Sequence, residues 1–175
     1  NWNGEANSLM PVLNAYFKDE PYTHWFSSFE PILNGMSASY YPKSGHHRAL
    51  HTDLCSPLAT APTWSGLGRS LQAELFHEGL ELWKDLVEEI QPDVMLVSIP
   101  KGLFLSVFPK EGNELIVFTE KKDGTPRKKP YRVERSHYQL RSGKQAKVIF
   151  GQASQKPFDT ITIPQKNQIG AQCLK

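Results

Sequence analysis

Residues 46–64, HHRALHTDLCSPLATAPTW, gather three histidines, an aspartate and a cysteine ahead of a Ser/Pro/Thr-rich run ending in Trp64. Imidazole and carboxylate groups are metal ligands, a thiol is a nucleophile, and a carboxylate at a strand end can hold a ligand. In an extended chain His51 and Asp53 share one face, so the pair can meet a common ion or substrate. His46 and His47 read equally well as solvated loop residues, and Cys55 as a small buried hydrophobe.

The metal chemistry has a known form. Iron- and 2-oxoglutarate-dependent oxygenases use an H-x-D pair, with His137 then the distal histidine and Arg141 the acid-binding arginine. Such enzymes need a jelly roll of antiparallel strands, and a helical pattern at 70–90 followed by an apolar run at 94–99 speaks against that core. Nucleophile chemistry has less support, since no G-x-S-x-G elbow occurs and spacing ties no histidine to Cys55. Without a P-loop or G-x-G-x-x-G, a nucleotide cofactor has no motif to hold it, and no cofactor is expected.

Among the elements that must support these residues, GRSLQAELFHEGLELWKDLVEEI places Leu71, Leu75, Leu80, Trp83, Leu86, Val87 and Ile90 at helical spacing. Pro92 ends the helix. Residues 94–99 are apolar on both faces, as a strand inside a parallel sheet must be, and KGLFLSVF reads as a short helix packing back. HRALHTDLCSPL reads as a second central strand breaking at Pro57, and AKVIFGQASQKPF as a third ending at Gly151. EANSLMPVLNAYFKDE reads as a helix with Asn7 or Ser8 as N-cap and Pro11 in its first turn. ELIVFTEKKDGTPRKKPYRVER reads as two strands around a basic turn.

The expected fold class is α/β, a three-layer α/β/α sandwich with a central, mainly parallel four-stranded sheet, in a single domain spanning 1–175. In such sheets ligands collect beyond the carboxyl ends of the strands. Those ends are 51–56, 98–101 and 151–154, and NWNGE is a fourth whose strand is expected upstream of Asn1. Asp53, rather than the histidines, then becomes the central residue of the opening stretch.

Charge is unevenly distributed. Residues 120–147 hold ten Lys/Arg against three Asp/Glu, about +7 in a chain of net +2, so the remainder is acidic. Lys121, Lys122, Arg127, Lys128, Lys129, Arg132 and Arg135, with Arg141, Lys144 and Lys147, surround Tyr131, His137 and Tyr138. Cations neutralise phosphates and interleaved aromatics can stack on unpaired bases, which makes DNA the expected partner. The competing structural role is a solvated hairpin whose lysines blunt a sheet edge.

With the strands placed, three passages resemble the uracil-DNA glycosylase superfamily. HTDLCSPLATAPTW resembles its second core strand and following loop. LELWKDLVEEIQPDVMLVSIPKGLF resembles its helix, P-x-V, apolar strand and short helix. AKVIFGQASQKPF stands where its last strand runs into a DNA-contacting loop. The resemblance implies base flipping and hydrolysis of the N-glycosidic bond of a damaged base, with no metal or cofactor. It places Asn3 or Glu5 (or Asn1) at the attacking water, with Trp2 beside them in the same loop. Asp53 would hold the base edge, and Gln152 and Ser154 belong to the last loop. Two departures matter. The superfamily's His-Pro-Ser motif is replaced by GQASQKPF, which removes the group that stabilises the departing base. An aspartate stands where an asparagine is usual, and ionised it only accepts hydrogen bonds. A non-catalytic nucleic-acid or protein-binding module on the same fold is the alternative, followed by a metal-dependent enzyme using His51 and Asp53.

Length and composition set the outer bounds. With 175 residues the chain can bury a real core, and no apolar run approaches the roughly 20 residues of a membrane helix, so no membrane partner is expected. Two cysteines, Cys55 and Cys173, make neither a disulfide framework nor a four-cysteine zinc site, and a reduced, cytoplasmic location is expected. The opening residues lack the basic start and apolar stretch of a signal peptide. Lacking an initiating Met as well, the chain is expected to be a fragment or a processed product.

Overall fold

The structure, a computed structural model, describes residues 11–12, 15–18, 21, 23–41, 44–54, 64–108, 112–153 and 156–175. In chain order the elements are α1 (Thr23–Phe26), α2 (Glu30–Gly35), β1 (Ala38–Ser39), β2 (His47–Arg48), a 3-10 turn (Trp64–Gly66) and α3 (Arg69–Ile90). They continue with β3 (Val94–Val97), α4 (Lys101–Val107), β4 (Asn113–Glu120), β5 (Pro126–Gln139), β6 (Gln145–Gly151) and α5 (Ile163–Cys173). The fold is mixed α/β. The helix expected near the start falls largely outside the described residues.

The main sheet has the order β3-β6-β5-β4. β3 and β6 pair in parallel, Val94 opposite Lys147 and Val97 opposite Phe150. β4 and β5 pair antiparallel, Ile116 opposite Val133 and Phe118 opposite Tyr131. The expectation of a mainly parallel sheet is therefore corrected: the sheet is mixed. The physical reason lies in the connections, because strands joined by turns as short as 121–125 have no room for the crossover that parallel pairing needs.

A second correction concerns HRALHTDLCSPL. Among its described residues only His47–Arg48 forms a strand, and it pairs in parallel with Ala38–Ser39 in a separate two-stranded ladder. Residues 49–53 adopt no regular structure. A central strand must be apolar on both faces, whereas this stretch sets Arg48, His51 and Asp53 among few apolar residues, and Leu50 is 63% exposed.

The chain divides into two compact units, one comprising 1–49, 94–137 and 147–175, the other 50–93 and 138–146. In the first, Ile32 and Leu33 of α2, Phe118, Val133 and Ile149 of the sheet, Phe158, Ile161, and Ile169 and Cys173 of α5 form one buried cluster. Phe150, which follows Ile149 and so points to the opposite sheet face, stacks on Phe104 of α4 at 4.0 Å. α2 and α5 meet closely at two glycines: a Cβ at Gly35 would strike the Asn167 carbonyl, and one at Gly170 the Ile32 carbonyl. α5 starts on a capping box, with Thr162 Oγ1 accepting from the Gln165 amide (3.3 Å) and the Gln165 side chain accepting from the Thr162 amide (2.9 Å). In the second unit α3 buries Gly79, Trp83 and Val87. Trp83 donates its indole N–H to Thr52 Oγ1 (3.2 Å) and meets Tyr138 edge-on. No described helix is long and apolar enough to cross a membrane.

Candidate nucleic-acid interface

Parallel pairing brings the carboxyl ends of β3 and β6 together, where α/β logic looks for a ligand. These ends are held by the protein's own groups. Ser98 donates to the Gly151 carbonyl (2.7 Å) and accepts from the Phe158 amide (3.0 Å). Tyr131 donates its hydroxyl to the Gln152 carbonyl (3.0 Å), and burial pushes that phenol well above its ordinary pKa. Lys101, at the start of α4, reaches both carboxylate oxygens of Glu134 at 2.8 and 2.6 Å. Its ammonium also lies 5.1 Å from the Phe150 ring and 5.6 Å from that of Phe104. Gln152 itself is exposed. Lys101 lies in the strand end 98–101 that the sequence marks, whereas its partner Glu134, 33 residues on, has no local signal there.

The remaining members of the expected pocket are placed as follows. Asp53 lies in irregular chain with its side chain 74% exposed, 3.8 Å from His51 Nε2. Among the described residues no group of three His, Cys, Asp or Glu side chains gathers as a metal site requires. His137 is exposed, and Arg141 is engaged elsewhere. Trp2, Asn3, Glu5, Cys55 and Ser154 lie outside the described residues.

The basic segment separates into engaged and unengaged cations. Arg141 donates its amide to both Glu88 carboxylate oxygens (3.1 and 3.0 Å) and its guanidinium to Asp85 (3.3 Å). Lys144 reaches Asp93 at 2.7 Å and the Gln91 carbonyl at 2.6 Å. Its charge thus sits at the C-terminus of α3, where the helix dipole favours a cation. Lys147 donates to the Cys173 carbonyl (3.1 Å), and Arg132 pairs with Glu114. That last pair has a local reason, because Glu114 stands directly opposite Glu134 in the ladder. Like charges facing each other repel, and each glutamate here has its own cation. The aromatics of the segment are likewise engaged, Tyr138 against Trp83 and Tyr131 beneath Arg127 with 5.8 Å to the ring.

The β4–β5 turn is different. Lys121, Lys122, Lys128 and Lys129 are exposed, and among the described residues no carboxylate lies at salt-bridge distance from any of them. Arg135 is half-buried opposite Asn113. The backbone of the turn that carries Lys121 and Lys122 is held by hydrogen bonds, and Lys128 and Lys129 follow in β5. The Lys121 amide donates to the Thr125 carbonyl (2.8 Å), the Gly124 amide to the Lys121 carbonyl (3.1 Å), and Thr125 donates both amide (3.0 Å) and hydroxyl (2.7 Å) to Asp123 Oδ1. These bonds hold the Asp123 carboxyl below its ordinary pKa, and Gly124 supplies the positive φ of 80°.

Beside this turn lies an open depression of about 410 Å³, lined by Lys121, Lys122, Asp123, Arg127, Asp159 and Thr160. Arg127 joins its two walls, donating from Nε to the Glu120 carbonyl (2.9 Å) and from its guanidinium to the Thr160 carbonyl. Nearby, Lys166 of α5 is only 7% exposed and donates to the Ser28 carbonyl at 2.7 Å. Burial first, then the like charges of Lys122 and Lys156, push its ammonium down to about 8, with Asp159 opposing. Asp159, Thr160 and Lys166 were missed by the sequence reading. Lys166 had a visible signal, since it falls on the buried stripe of α5 with Ile169, Gly170 and Cys173.

No family model matches the chain, and neither the curated proteins nor the solved structures searched gave a match.

Proposed function

We propose that this chain binds DNA, gripping the phosphate backbone with the β4–β5 turn. The observation that carries the reading is a set of four exposed lysines with no described carboxylate partner, Lys121 and Lys122 on a hydrogen-bonded turn and Lys128 and Lys129 near the start of β5. A cation fixed in position and lacking an internal partner gains by displacing counterions from a polyanion. A cation already paired gains little. Tyr131 and Tyr138 are occupied within the protein, so the contact is to phosphates rather than to stacked bases, and sequence preference is weak.

A second reading, hydrolysis of a flipped base as the glycosylase resemblance implies, is favoured by one observation. The parallel β3–β6 pair sets Ser98, Lys101 and Gln152 at a shared carboxyl edge. The three-layer arrangement belongs to this reading and draws support from Ile149 and Phe150, adjacent residues that pack on α5 and α4 respectively.

The test is fluorescence anisotropy with labelled single- and double-stranded oligonucleotides. Replacing all four lysines by alanine should weaken binding on the order of a hundredfold at low salt, and Arg141→Ala should leave it unchanged. Equal affinity in the wild type and the four-lysine variant overturns the first reading. Oligonucleotides carrying uracil, hypoxanthine or xanthine test the second: alkali-labile abasic sites, lost on Gln152→Ala, support hydrolysis, and none from any substrate removes it.

A further inference from the structure

The depression beside the β4–β5 turn is lined from two stretches of chain that the sequence keeps over thirty residues apart, and the hairpin stretch supplies its cations. Lys121, Lys122 and Arg127 come from the hairpin. Lys156 and Lys166 lie outside the lining, but Lys166 is within electrostatic reach of Lys156 and of two lining residues, Lys122 and Asp159. Against these five positive charges stand two carboxylates, Asp123 and Asp159. Asp123 has one carboxylate oxygen occupied by Thr125, and Asp159 faces the lysines. An excess of about three positive charges remains, and like charges held this close repel unless an anion joins them.

We infer that this depression is a site for a phosphate monoester, a dianion that Lys121 and Lys122 contact directly while Arg127 keeps the walls in place. A volume of about 410 Å³ holds more than a phosphate group, since a water occupies about 30 Å³ of liquid, so a nucleotide end fits. A monoester answers the charge excess better than a backbone diester, which carries a single charge. Lys166 is not a contact residue here; its ammonium is held by the Ser28 carbonyl and contributes field alone. Asp159 sets the sign of the test, because its carboxylate opposes any anion. The inference rests on reading the hairpin as a DNA-binding surface, and it names the group that would seat beside it: the phosphorylated end of a strand.

The experiment compares one short oligonucleotide with 5′-phosphate, 3′-phosphate or two hydroxyl ends, binding to the full chain, alongside inorganic phosphate and pyrophosphate as free sources. A terminal phosphate at one end should tighten binding about tenfold. Lys122→Ala should erase that difference, Asp159→Asn should enlarge it, and Arg141→Ala should leave it alone. Equal affinity for all three oligonucleotides, with the four-lysine variant still weakened, overturns this site and leaves the hairpin reading standing. No oligonucleotide binding, but a rise in Tm of about 2–4 °C with pyrophosphate that Lys122→Ala abolishes, supports the site with a free phosphate source and overturns the DNA reading. Neither response overturns both. Weaker binding in Asp159→Asn also counts against the site, since it would give the carboxylate an attractive role.

Discussion

The β4–β5 and β5–β6 turns are built from the same materials: short, glycine-containing and rich in lysine and arginine. They differ in what their cations meet. At 141–144, Arg141 and Lys144 are engaged by Asp85, Glu88, Asp93 and the carbonyl of Gln91, which caps α3, so the charge stabilises the second unit. At 121–129, four exposed lysines, two on the hydrogen-bonded turn and two at the start of β5, have no described carboxylate within salt-bridge distance. Positive charge alone therefore does not mark an interface. What marks one is positive charge that the protein has positioned and left unneutralised.

Removing an engaged cation on α4 separates stability from DNA affinity. Lys101→Met leaves Glu134 half-buried without its partner and should lower unfolding stability on the order of 2 kcal/mol, while DNA affinity stays within about twofold. Denaturant unfolding beside anisotropy measures both. At the β5–β6 turn, Lys144→Met should cost about 1 kcal/mol through the lost ion pair and helix-end interaction, again with no effect on DNA. Removing all four unengaged lysines should do the reverse, changing stability by less than about 0.5 kcal/mol.

A finer test uses pH. Lys166 holds its proton only up to about pH 8 when folded, against the ordinary 10.5 of lysine. Between these values the unfolded chain binds the extra proton, so stability rises with pH. Cys173, raised by burial from 9.0 to about 11, acts oppositely, because the unfolded thiol loses its proton first and stability falls through that window. Stability should thus climb between about pH 8 and pH 9 and flatten above it. Lys166→Met should remove the climb, and a curve unchanged by that substitution would deny the buried ammonium its role.

Much of the fold was legible where local pattern suffices. The apolar spacing of α3, the short helix α4 and the Gly-marked turn at 121–125 stand where periodicity and turn chemistry put them, whereas β3 forms a strand as expected but at the end of the four-stranded order and half-buried, not inside the sheet. Strand direction was misjudged although the same turn implied it, since a five-residue connection forces antiparallel neighbours. HRALHTDLCSPL was misjudged because its polar residues deny it a buried face. No expectation covered α5, although Thr162-Ile-Pro-Gln carries a capping box. The interface was half legible. Composition located the basic segment, but which cations are engaged depends on partners such as Asp85 and Glu88, 56 and 53 residues away from Arg141.

The most direct measurement is the salt dependence of DNA affinity for the wild type and the Lys121/Lys122/Lys128/Lys129→Ala variant. Plotted as logarithms, the wild-type slope should be steeper by about 3 to 4, one phosphate contact for each lysine, with Arg141→Ala and Lys144→Met lying on the wild-type line. Parallel lines for the wild type and the four-lysine variant would contradict the central claim. The unengaged lysines would then be solvated surface, and the two turns would differ in nothing that bears on function.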